Sequence, residues 1–120
     1  MITVFIPGIP RNSNASGQQK YNRWDKKKFR KMACDIAAKW PDKPEDWPPQ
    51  RIRITARHIS PVIRRRDPTG LAERLKGILD GLVDGGLLID DDEDHIEVIL
   101  AHSRKAKPAG IELVLEAITE

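Results

Sequence analysis

The chain has 120 residues, 39% of them hydrophobic and 32% charged, with a net charge of +3. That length fits one domain with a core of its own. The single cysteine, Cys34, excludes an intrachain disulfide and fits a cytoplasmic protein, and no apolar run approaches the roughly 18 residues of a membrane span.

The opening MITVFIPGIP has no basic leader region. It reads as a strand from Thr3 to Ile6, stopped by Pro7, Gly8 and Pro10. Arg11 to Arg23, RNSNASGQQKYNR, is polar and aperiodic, a long loop. Asn12, Asn14 and Lys20 in it are candidate contacts to phosphate or base. A plain solvated loop is the alternative.

Trp24 to Trp40 reads as a helix, because Phe29, Met32, Ala33, Ile36, Ala37 and Trp40 form one apolar stripe. Lys26, Lys27, Lys28, Arg30 and Lys31 cover its other faces. Such a run is commonly only a solvated face. These cations also stand near the helix N-terminus, where the dipole disfavours them. That conflict marks Lys27 and Lys28 as candidate phosphate contacts.

Pro41 to Gln50 holds four prolines and reads as a rigid connector. Arg51 to Ser60 alternates strictly, with Ile52, Ile54, Ala56 and His58 on one face and Arg51, Arg53, Thr55 and Arg57 on the other. This predicts a half-buried strand with a basic outer face. Leu71, Leu75, Ile78, Leu79, Leu82 and Val83 predict a second helix, capped by Gly85-Gly86. Ile96 to Ser103 reads as a strand, KAKPAG as a turn, and Ile111 to Ile118 as the last strand. The order β-α-β-α-β-β predicts a two-layer α/β domain, a four-stranded mixed sheet with both helices packed on one face.

Two places gather carboxylates. Asp67 follows Arg64, Arg65 and Arg66, and Asp90, Asp91, Asp92, Glu93 and Asp94 follow the second helix. Carboxylates without cysteine or histidine pairs favour Mg²⁺ or Mn²⁺ over zinc. A cation held there activates water and steadies the leaving oxygen of a phosphodiester. Basic neighbours would hold the strand to be cut. The two groups flank a helix about 20 Å long, so surrounding strands and turns, or a partner subunit, would have to unite them. Lys76 lies off the apolar stripe, with Asp80 at i+4 and Glu73 at i−3. It reads either as part of a surface ladder or as a cation facing the site. The bland alternative for both charged runs is solvation.

RRRD, then L-x-x-x-LKGILDGLVDGGLL, then IDD, resembles the RusA family of Holliday junction resolvases. The likeness runs over nearly the whole chain, and its specific part is LKxxxDGLVDGGxLxDD. It implies a Mg²⁺-dependent homodimer that binds four-way DNA junctions by shape and cuts symmetrically paired strands. Carried over, Asp67 and Asp91 bind metal with Asp90 beside them, the register within DDDED being open by one. Lys76 assists, and Arg64, Arg65 and Arg66 grip the backbone. The chain departs from the family's D-x-D-N, having D-P-T-G, so Thr69 stands where the second aspartate belongs. Either Glu73 or another acid of the 90–94 run substitutes, or the protein binds junctions without efficient cleavage. A generic α/β interaction domain is the third reading.

Overall fold

A computed structural model of the chain describes residues 1–8, 23–41, 43–61 and 68–118. Arg64, Arg65, Arg66, Asp67, Asn12, Asn14 and Lys20 lie outside the described residues. The elements in chain order are β1 (Ile2–Pro7), α1 (Arg23–Ala38), β2 (Ile52–Ser60), α2 (Pro68–Asp84), β3 (Ile96–Leu100), β4 (Arg104–Lys105) and β5 (Gly110–Ala117).

The sheet is mixed, in the order β1-β5-β2-β3, with β4 also on β2. The last strand, β5, enters antiparallel between β1 and β2, while β3 and β4 run parallel to β2. Period-2 alternation does the sorting. Val4, Ile6, Ile54, Ala56, His58, Ile111, Leu113 and Leu115 all point to one buried face. The α1 stripe (Phe29, Ala33, Ala37) and the α2 stripe (Leu75, Ile78, Leu79, Leu82) close over it, giving two layers with both helices on that face.

The helices touch at the backbone. A Cβ on Gly81 would collide with the Arg30 carbonyl oxygen and stand 2.7 Å from the Ala33 Cβ. One on Gly85 would lie 2.6 Å from the Cys34 carbonyl oxygen. Gly85 therefore serves helix contact, and Gly86 makes the cap. Gly86 has φ +89°, its N–H donates to Val83 O at 3.1 Å, and the Leu87 N–H donates to Leu82 O at 3.0 Å. This is the Schellman pattern, with its companion contact made by the buried pair Leu82 and Leu87.

Two expectations change. The sheet has five strands rather than four, because the strand expected over Ile96 to Ser103 stops at Leu100, and Arg104–Lys105, at the expected start of the turn, pairs again with β2. Ala56 pairs with Leu100 and Ile59 with Arg104, so the outer chain carries one residue more than β2 over the same span. The ladder breaks there and resumes as β4, as at a bulge. The basic outer face of β2 also stands among acids of its neighbours. β5 sets Glu116 opposite Arg53 and Glu112 opposite Arg57, and on the other side Arg53 Nε holds Glu97 at 3.0 Å.

Candidate metal and nucleic-acid site

The acidic run lies in a turn anchored at both ends. Upstream, Leu87 and Leu88 are buried, and the Trp47 indole N–H donates to Leu87 O at 2.9 Å. Downstream, Ile96 is buried and starts β3. Between them the His95 and Ile96 N–H groups both donate to Asp92 O, at 3.1 and 3.0 Å. The Asp91 N–H donates to Asp90 Oδ1 at 2.7 Å.

This turn brings together Asp90, Asp92 and His95, with one ligand atom from each inside a 4.8 Å span. His95 Nδ1 lies 2.5 Å from Asp92 Oδ1. That hydrogen bond, with the charge of Asp92 and of nearby Asp90 and Asp94, raises the His95 pKa above the ordinary imidazole value. The same bond lowers the Asp92 carboxyl below its ordinary range. Asp91 is not in the trio; it supplies a backbone donor to Asp90 instead. Attention to carboxylates alone passed over His95. Its signal was the i, i+3 spacing from Asp92, which one turn of chain converts into contact.

Lys76 is exposed on α2. Asp80, its expected ladder partner, lies 3.9 Å from Arg30 of α1. Arg30 also grips Asp84 in a fork, Nε to Oδ2 at 2.7 Å and Nη2 to Oδ1 at 3.2 Å. Arg30 thus ties α1 to α2 across the helix seam. Lys27 and Lys28 are exposed. With Lys31, Met32 and Asp35 they line an open hollow of about 440 Å³ on α1.

Pro68, Thr69 and Gly70 form the start of α2. Pro68-Thr69-Gly70 is therefore helical and not extended. Proline at the first helical position has its φ preset for the helix. α2 is 17 residues, about 25 Å, long, and the acidic turn follows its far end and feeds β3, whose Ile96 pairs with Ile52 at the start of β2.

No protein-family model matches the chain, and no curated protein matches it. No helix among the described residues is long and apolar enough to cross a membrane.

Proposed function

We propose that the chain is a RusA-like, divalent-metal-dependent endonuclease acting on branched, four-way DNA in recombination and repair. The observation that carries this reading is the anchored Asp90–Asp92–His95 turn, standing where the resemblance expects a metal-binding aspartate. The donor set suits such an ion. Two carboxylates are hard oxygen ligands for Mg²⁺ or Mn²⁺, and the imidazole tilts preference toward Mn²⁺. Asp90, Asp92 and His95 would hold it. When bound, such an ion supplies Lewis acidity toward a phosphodiester and its attacking water.

The chain's own residues add the rest. Lys27, Lys28 and Lys31 offer cations to phosphate, so binding should fall steeply with salt. Arg64, Arg65 and Arg66 are the further basic contacts in this reading. A homodimer is part of the proposal, and its two-fold symmetry suits paired cuts.

The test is a labelled four-way junction incubated with Mg²⁺, Mn²⁺ or EDTA. Paired nicks that need the metal support the reading. A shifted but uncut junction supports a second reading, junction binding without efficient cleavage. That reading is favoured by Thr69, a neutral residue in the first turn of α2 where the family carries a carboxylate. Thr69→Asp should then raise cleavage. No shift even at low salt would sink both.

A further inference from the structure

Among the described residues, no strand covers the outer edge of β3. The ladder with β2 shows which peptide groups face outward. The Ile52 N–H donates to His95 O, and the Ala101 N–H donates to Ala56 O, both at 2.8 Å. In a parallel ladder of this register, residues 95, 97, 99 and 101 turn toward β2. The carbonyls of Ile96, Val98 and Leu100 therefore point outward, with the N–H groups of Val98 and Leu100. The Ile96 N–H is already given to Asp92 O.

Natural sheets guard such edges with charge, proline or a covering element. β4 has that guard in Arg104 and Lys105, but β3 does not. Val98 is 38% exposed on one face and Ile99 42% exposed on the other. Glu97 is the one charge on the strand, and Arg53 holds it. The flanks are opposite in sign. The acidic run Asp90–Asp94 precedes β3, and exposed His102, Lys105 and Lys107 follow it, with Arg104 held by Glu112 of its own chain. A strand that meets its own copy antiparallel sets start beside end, so acid meets base at both ends.

We propose that β3 pairs antiparallel with β3 of a second copy, about a two-fold axis at Val98, to make one continuous sheet. In this register Val98 faces the partner's Val98, and Ile96 faces the partner's Leu100. These are the residues whose peptide groups point outward, as hydrogen-bonded antiparallel pairs require. An axis at Glu97 would set two carboxylates opposite each other, and one at Ile99 would pair a shorter stretch. A five-residue edge is small beside the roughly 1,600 Å² of a standard stable interface, so the dimer forms in a concentration-dependent equilibrium. One consequence rests on the nuclease reading. The two acidic turns fall about 20 Å apart across the axis, each beside the other copy's basic flank and the end of its β2. The pairing itself needs neither DNA nor metal.

The experiment is sedimentation equilibrium of the full chain without DNA or metal, repeated across salt. A monomer–dimer equilibrium that salt weakens is expected. Val98→Pro removes an outward N–H that the chain's own sheet does not use. It should keep the circular dichroism spectrum and weaken the dimer at least tenfold. Lys105→Glu should weaken the dimer too, and adding Asp91→Lys should restore it. If the proline variant fails to fold, the charge pair decides alone. A wild-type chain that stays monomeric at millimolar concentration, or charge variants with the wild-type constant, would overturn the proposal. A dimer of this kind that never cuts a junction would sink the nuclease reading and leave the interface standing. A monomer that cuts would do the reverse.

Discussion

The seam between α1 and α2 and the outer edge of β3 are opposite solutions to the same problem of backbone contact. At the seam, Gly81 and Gly85 remove every side-chain atom that would hold the helices apart. Backbone meets backbone within the chain, and the fit tolerates nothing added. At the edge, polar backbone groups are left facing outward between two exposed apolar side chains. One surface is spent on the fold, and the other is left for a second molecule. Mutations should therefore act on stability at the first and on association or ligand binding at the second.

The sharpest way to break that comparison is Gly81→Ala. The new methyl would run into the Arg30 carbonyl and the Ala33 Cβ, and the helices must move apart to admit it. Overpacking of this kind costs about 1–3 kcal/mol or more. A melting temperature lower by about 5–15 °C is expected, read by circular dichroism. An unchanged melt would show that the seam is looser than its geometry. Val98→Pro is the counterpart at the edge, and its melt should fall less than that of Gly81→Ala, since proline is accommodated on an edge strand whose N–H faces outward.

The next effect concerns the turn that feeds the edge. Asp92→Ala removes a carboxylate and the partner of His95, and should weaken Mn²⁺ binding at least tenfold, read by calorimetry on the full chain. Equal binding by the variant would remove the turn from the metal site. Asp92→Asn probes the same contact without metal. The His95 pKa is raised by Asp92, so the variant should lower it, as followed by proton NMR of the imidazole. The sign of the linkage follows. The raised His95 adds stability below the ordinary imidazole pKa, which is lost as pH rises through its folded value. The lowered Asp92 adds stability above the ordinary carboxyl pKa, which is lost as pH falls through its folded value. The clasp is thus strongest between the ordinary carboxyl and ordinary imidazole pKa values and fades beyond the two folded ones.

What was legible follows the same divide. Both helices show in their stripes, since Phe29, Ala33 and Ala37, and Leu75, Ile78 and Leu82, repeat at helical spacing and are buried. β2 and β5 show in strict alternation. The insertion of β5 between β1 and β2 was not legible, because alternation names the buried face of a strand and not its neighbour. The acid on that strand, Glu112 and Glu116, sets negative charge beside the basic face expected of β2. The break after Leu100 was not legible either. Nothing in AHSRK marks one surplus residue, which is a mismatch with β2 and not a property of the segment. Gly85 looked like a cap because adjacent glycines after an apolar stripe suit one; only the neighbouring helix assigns it to contact. At the site, the acidic run was plain, but which acids converge depended on the turn from Asp92 to Ile96, which sets Asp91 aside and brings in His95.

The smallest expected effect returns to the seam. Arg30 forks onto Asp84 across the two helices, and this hydrogen bond, then its charge, lowers the Asp84 pKa. A lowered carboxyl contributes stability above its ordinary pKa and loses it as pH falls through the folded value. Both side chains are largely exposed, so solvent and salt screen the pair. Asp84→Asn should lower the neutral-pH melting temperature only slightly, far less than Gly81→Ala, and should flatten the acid side of the stability curve. High salt should shrink the difference. If Asp84→Asn instead matched the glycine variant, the helices would be held by the ion pair and not by their backbone fit, and the contrast between seam and edge would fail at its stronger end.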